Sequence, residues 1–399
     1  MPEAVIVATA RTPIGRANKG SLIDCRPDDL SALIIDAVLA KVPDLDPSLV
    51  EDVIWGCGQP AGEAGANIGR VAGILAGLDV PGVTVNRYCS SSLQTIRMAA
   101  HAIKAGEGDV FISGGVETVS RFQYGAADTG SPNVKFGEAH ARTKEREGGG
   151  QPTWTPPTGL PDVYIAMGQT AENVREIEGV GRTEMDEFAV QSHERALEAQ
   201  ANGFFEREIT PVTTPDGTVV SKDDGPRAGS TVEKLATLKP VFRPDGEVTA
   251  GNACPLNDGA AAVVVMSDTR ANELGITPLA RIVASGLSAL DPEIMGLGPI
   301  EASRQALKRA GLTIEDIDLA EINEAFAAQA IPSAKHLGIP WEKLNVHGGA
   351  IALGHPFGMT GARIMTTLIN GLQTDGKRYG LETMCVGGGQ GMAMIVEKL

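Results

Sequence analysis

Val83-Thr84-Val85-Asn86-Arg87-Tyr88-Cys89-Ser90-Ser91-Ser92-Leu93-Gln94-Thr95-Ile96 decides the architecture. A β-branched run stops at Cys89, and a helical face at Leu93, Ile96, Ala100 and Ile103 begins directly after it. The spacing predicts a strand, then a tight turn holding a thiol, then a helix over about Ser90–Ala105. The strand Val110-Phe111-Ile112-Ser113 follows and runs into Gly114-Gly115. Upstream, Pro27-Asp28-Asp29-Leu30 opens a helix with Leu33, Ile34, Ala37 and Val38 apolar, and Leu49-Val50-Glu51-Asp52 leads into the strand Val53–Gly56.

The same grammar is written again in the last third of the chain. Pro299 opens a helix with Ala302, Ala306 and Leu307, stopped by Gly311, and Ile314–Asp318 leads into the strand Leu319–Ile322. Leu344-Asn345-Val346 then matches Thr84-Val85-Asn86, and a helix from about Gly361 matches the one after Cys89. Leu381–Cys385 runs into Gly387-Gly388-Gly389, the expected counterpart of Gly114-Gly115. Two matching units in one order predict a duplicated α/β fold with mostly parallel sheets covered by helices. The middle third is polar and rich in Gly and Pro, with helices near Met167–Glu176 and Thr183–Asn202. The expected organisation is a first half over residues 1–120, an inserted loop domain over 121–256, a return strand over 257–278 and a second half over 279–399.

Composition narrows the function classes. The 399 residues carry Lys+Arg 34 against Asp+Glu 50, a net charge of -16, so the surface repels nucleic-acid phosphates. A polyanionic ligand must be met by locally placed cations. Five cysteines are scattered without a CxxC pair, and six histidines lack metal-ligand spacing, so neither disulfides nor a metal site is expected. No apolar run reaches the ~20 residues of a bilayer span. There is no basic segment ahead of an apolar block, and Glu397-Lys398-Leu399 is not a peroxisomal signal. The expected location is the cytoplasm.

Three residues carry the chemistry. A thiol at a helix start sits before the helix dipole, which should lower its pKa, and near free backbone N–H groups able to receive an oxyanion. Cys89 is therefore a nucleophile candidate, against the alternative of a buried cysteine acting as a small hydrophobe. Cys385 before three glycines suits proton transfer at a weakly acidic carbon; no Lys-Ser/Thr follows, so a phosphate loop does not fit. His355, between Gly354 and Pro356, can take the proton of a thiol, with His347 as a competitor. Asn323 ends a strand, where it caps a helix or orients a water.

Asn86–Ser91, Asn323-Glu324-Ala325-Phe326, Gly348–Pro356 and Cys385–Gly389 together resemble the thiolase family, in the family's order. Supporting matches include Ala10–Pro13, Gly114–Glu117, Met167–Val174, Thr249–Asn252 and Asn257–Ala261. The resemblance implies a five-layered αβαβα fold from two duplicated halves plus an inserted loop domain that binds coenzyme A. It implies Cys89 as the acylated nucleophile, His355 as its activator and Cys385 as the acid/base at the α-carbon. Asn323 would hold a water in one oxyanion hole with His355, and the backbone N–H groups of Cys89 and Gly387 would form a second. Arg227, Cys254 and Met167 would line the coenzyme site.

Coenzyme A and acyl-CoA are then substrates, with no tightly bound cofactor, and the assembly is a homodimer or homotetramer. A ketoacyl synthase would lack the second cysteine, and a non-catalytic acyl-CoA-binding protein would lose Cys89 or His355. Ser90, Ser92 and Cys254-Pro255 depart from the family pattern, as does Ala166, where short-chain biosynthetic members carry histidine.

Overall fold

The computed structural model describes residues 2–399. Nine strands lie in one hydrogen-bonded order: β1 (Ala4–Arg11), β2 (Asp52–Gly56), β3 (Gly82–Val85), β4 (Val110–Thr118), β5 (Asn257–Ser267), β6 (Ala280–Ala289), β7 (Leu319–Ile322), β8 (Tyr379–Val386) and β9 (Gln390–Lys398). The spatial order is β7-β8-β9-β6-β1-β5-β4-β2-β3. Only Val5 and Ile6 of β1 pair with β6, so a narrow seam joins two sheets. The first reads β3-β2-β4-β5-β1 and the second β7-β8-β9-β6, the same sequence of neighbours. A bridge from Ala320 to Leu344 supplies the second half's remnant of β3.

Helices fill the spaces between and outside the sheets, giving five layers. α1 (Pro27–Ala40) and α2 (Ile68–Leu75) cover the outer face of the first sheet, where Leu30, Ile34 and Val38 bury against Val53, Trp55 and Val264. α7 (Gly298–Ala310) and α8 (Ala327–Leu337) cover the second, burying Ala302, Ala306 and Ile331 against Ala320, Ile322 and Ile395. α3 (Ser91–Ala105) and α9 (Thr360–Thr374) lie between the sheets in a core that includes Leu93, Ile96, Ile364 and Leu368. The remaining long helices, α4 (Gly137–Glu147), α5 (Met167–Glu178) and α6 (Arg182–Ala201), belong to the segment between β4 and β5.

Three expectations change. The sheets are mixed: β3, β2 and β4 run parallel, as do β7 and β8, but β5, β1, β9 and β6 pair antiparallel. Strand–helix alternation fixes parallel pairing only where a helix bridges the strands, and β8 and β9 are joined by a turn instead. Gly114 and Gly115 are not the counterpart of the triple glycine. They sit inside β4 opposite Trp55 and Gly56, whereas Gly388 and Gly389 form the β8–β9 turn with φ +79 and +80. The first half leaves its sheet at the equivalent place, after Thr118, and returns at Asn257. Finally, α4 lies in a stretch that reads as polar loop, because charged residues with two buried positions, Ala139 and Thr143, give little apolar periodicity.

The two central helices meet at their first turns. A Cβ on Gly361 would press on the backbone N, Cα and Cβ of Leu93. Ser92 Oγ accepts the otherwise unpaired Ala362 N–H at 2.9 Å, so the serine that departs from the family pattern caps the neighbouring helix. Gly361→Ala should cost about 1–3 kcal/mol by overpacking. Ser92→Ala should cost about 1–3 kcal/mol by orphaning a buried N–H. Urea denaturation with unchanged m-values checks both.

Candidate active site

Cys89 is carried by a short 3-10 turn, Tyr88–Ser90, in which Tyr88 has φ +44. That strained corner is held by Ser91 Oγ, which donates to Tyr88 O at 2.7 Å and accepts from Arg87 N at 2.9 Å. The turn packs against β8 and against Phe357–Met359, which brings Cys89 beside the end of the Cys385 strand and beside the His355 turn. The backbone N–H groups of Gly387 and of Cys89 itself lie near enough to the Cys89 sulfur to favour its thiolate form. Cys385 and Cys254 are close enough to Cys89 that charge on one thiol raises the pKa of another. Asn323 N donates to Thr383 O at 3.0 Å, which fixes Asn323 next to the same strand end. Its Nδ2 lies 3.3 Å from His355 Nε2, and its Oδ1 is buried without a partner.

The His355 tautomer follows from its neighbours. Thr360 Oγ1 spends its one proton on Pro356 O at 2.8 Å, so at 2.6 Å it accepts from His355 Nδ1–H. Nε2 is then the bare nitrogen, facing Asn323. His355 N donates to Asn257 Oδ1 at 3.0 Å, which ties the turn to the start of β5. Glu117 accepts from Gly58 N, Gln59 N and Gly358 N, clamping the end of β2 to the loop after Pro356.

Burial sets the protonation states. It pushes the Cys89 thiol up to about 11, with the two amides working against it. The dipole argument therefore fixes the wrong sign for the resting thiol: desolvation outweighs the helix start. Burial, with Arg363 adding to it, lowers His355 to about 3. Cys385 is raised well above its ordinary value by burial and then by Cys89 and Cys254. At neutral pH the site holds neutral thiols beside a neutral imidazole.

A groove of about 430 Å³ is lined by Arg16, Lys19, His193, Arg227, Cys254 and Ile351 among others. Three cations and no carboxylate line it, in a chain with a net charge of -16. Arg227 and Cys254 thus share one groove, while Met167 opens α5 beside Tyr88 and Gly387. His347 is elsewhere, stacked on Phe204 with ring centroids 3.6 Å apart. Among the described residues no cluster of His, Cys, Asp and Glu could hold a metal ion, and no helix is long and apolar enough to cross a membrane.

The family models for the thiolase N-terminal domain and the thiolase C-terminal domain match residues 4–269 and 276–398. The chain belongs to the thiolase family. It is 45% identical over 409 residues to the beta-ketoadipyl-CoA thiolase of Acinetobacter baylyi, covering 100% of both chains. It is 44% identical over 411 residues to the 3-ketoacyl-CoA thiolase of Bacillus subtilis, again covering 100% of both. The crystal structure of the Bacillus anthracis acetyl-CoA acetyltransferase superposes with a TM-score of 0.86 at 40% identity, covering 100% of this chain and 99% of that one. This thiolase is an acyltransferase, and its αβαβα fold is that of the family.

Sequence reading missed Thr360, whose hydroxyl sets the imidazole, because nothing in Gly358–Gly361 marks a histidine partner. Asn257 was visible only as part of the Asn-Asp-Gly-Ala-Ala match. Thr360→Val should lower kcat about 10–100-fold with little change in KM, with Thr360→Ser restoring most of it. Because the thiol titrates near 11, alkylation of Cys89 by iodoacetamide should accelerate about tenfold per pH unit between pH 7 and 9. A plateau below pH 8, read by peptide mass spectrometry, contradicts the neutral-thiol ground state.

Proposed function

We propose that this thiolase cleaves 3-ketoacyl-CoA with coenzyme A to acetyl-CoA and a shortened acyl-CoA, or runs the reverse Claisen condensation, through an acyl group on Cys89. The observation that carries the reading is the packing of the Cys89 turn against the strand end that holds Cys385 and against the turn after His355, whose imidazole is fixed by Thr360 and Asn323. His355 Nε2, held bare by Thr360, takes the thiol proton as the sulfur attacks the 3-keto carbonyl, so no stable thiolate has to be buried.

Oxygen charge falls on the amides of Cys89 and Gly387 in the acyl-transfer steps. Carbon–carbon cleavage expels the acetyl-CoA enolate. Asn323 and His355 stabilise its oxygen, through a water on the buried Asn323 amide, and Cys385 delivers the proton to its α-carbon. Incoming coenzyme A then takes the acyl group from Cys89, its own thiol proton restoring Cys385 while His355 returns its proton to the Cys89 sulfur. No metal or tightly bound cofactor enters.

Arg16, Lys19 and Arg227 supply the cations for the coenzyme phosphates, and Cys254 lies on the pantetheine side, with Met167 near the acyl group. The division into residues 1–120, 121–256, 257–278 and 279–399 assigns coenzyme binding to the inserted segment, which contributes His193, Arg227 and Cys254 to the groove. β3 is an edge strand with exposed Ile74 and Leu75 on the helix before it, which supports a homodimer or a dimer of dimers. Names of the relatives point to 3-ketoacyl-CoA or beta-ketoadipyl-CoA as the substrate class.

Cys89→Ser should abolish turnover, whereas Cys385→Ser should still acquire an acyl adduct on Cys89 when mixed with acyl-CoA. Intact-protein mass spectrometry reads both, and a wild-type chain acylated elsewhere, or not at all, rejects the mechanism. Ala166, in place of a histidine, leaves room for acyl chains beyond acetoacetyl. A kcat/KM series should hold up past four carbons, and a steep fall there counts against the assignment.

A further inference from the structure

The duplication leaves two equivalent clefts, each between a central helix and the sheet of the opposite half. The first lies between β1 at Val7–Thr9 and α9 at Ile369 and Gln373. The inserted segment reaches into it with Arg207 and Glu208. Lys41, just past the end of α1, crosses its mouth, donating to Thr9 O at 2.7 Å and to Arg207 O at 2.9 Å. Burial lowers the Lys41 pKa, and Glu208 stands near enough to work against that by favouring the charge.

The second cleft lies between β6 at Ile282–Ser285 and α3, and has a volume of about 370 Å³. Arg309, near the end of α7, takes the post of Lys41 and donates to Ser285 O at 2.6 Å. The second half has no inserted segment, so no counterpart of Glu208 arrives. In its place α3 contributes three more basic side chains, Arg97, His101 and Lys104, one turn apart along a single face. Among the described residues none of the four makes an ion pair. Beyond the Arg309 contact, their one hydrogen bond is Arg97 Nε to Ser285 Oγ at 3.2 Å. Burial and then Arg97, Lys104 and Arg309 lower the His101 pKa, so the group repels itself in a chain with a net charge of -16.

We propose that this second cleft binds a compact oxyanion carrying at least two negative charges, at a site separate from the coenzyme groove. The size of the cleft and its floor of Ala100, Ile282 and Met394 suit a small molecule. Arg97 and Lys104 are seven residues apart on a helix, roughly 10 Å along its axis, so one monovalent group cannot neutralise both. Phosphate and carboxylate oxygens share the chemistry that guanidinium and ammonium groups recognise. The ligand is then a polyphosphate-bearing or a polycarboxylate molecule.

The test is calorimetric titration of the full-length protein, held in saturating coenzyme A so that the coenzyme groove is filled, with inorganic pyrophosphate and separately with citrate. At about 50 mM salt we expect at least one of the two to bind below about 1 mM, with a matching rise in Tm. The tighter of the two identifies the source as phosphate or polycarboxylate. Arg97→Gln with Lys104→Gln should weaken binding at least about tenfold and erase the Tm rise. Both side chains reach solvent, so folding is checked by Tm without the anion, which should stay level or increase as repulsion is relieved. Arg309→Gln is a second, independent variant with the same expected loss of binding. Absence of binding to about 10 mM overturns the proposal. So does equal affinity in the variants, or a crystal structure in which carboxylates of a second copy fill the cleft.

Discussion

The contact on which the site depends is the meeting of α3 and α9 at their first turns, with Gly361 against the Leu93 backbone and Ser92 capping Ala362 N–H. Each helix starts immediately after a turn that holds a reactive group: Cys89 before α3, His355 before α9. Holding the two helix starts together therefore holds the thiol and the imidazole together, although 266 residues separate them in the chain (355 less 89). The third group, Cys385, arrives on β8, the strand that runs beside the Cys89 turn. Duplication supplies this convergence directly, because related halves packed face to face bring equivalent turns to one place.

Electrostatics in this pocket follow from dryness rather than from charge. Cys89, Cys385 and His355 are all driven toward their neutral forms by burial. The cost of charge separation is deferred to the reaction, where amides of Cys89 and Gly387 already lie near the sulfur and need not reorganise. Cations stand in the neighbouring groove instead, on Arg16, Lys19 and Arg227. Glu117, raised to about 7 by burial, braces the loop behind His355 through three backbone amides rather than through a counter-ion.

Much of this was legible in the residues. Pro27, Pro299 and Gly311 mark helix ends that the structure places within a residue or two, because capping is local chemistry. The turns at Cys89 and His355 were legible for the same reason. Strand direction was not: β5 pairs with β1 and β4 antiparallel after an excursion of more than a hundred residues, and no local signal carries that. Nor was the sign of the Cys89 shift, since the burial that raises it comes from packing against β8 and Phe357–Met359, far away in the chain. Thr360 and Glu117 act through partners remote in sequence or hidden among ordinary residues, so their roles emerge only from coordinates.

The β8–β9 turn, closed by Gly388 and Gly389, and the departure of the chain after Thr118 occupy the same station in the two halves. In one half the hairpin is shut by that turn; in the other it is open and admits more than a hundred residues between Thr118 and Asn257. Tolerance of new sequence is thereby partitioned. Lineages can lengthen, shorten or rewrite the opened hairpin and so change which guests are accommodated, while the shut one has no slack to vary. Ligand preference should therefore drift with the opened hairpin without disturbing the chemistry held by Cys89, His355 and Cys385.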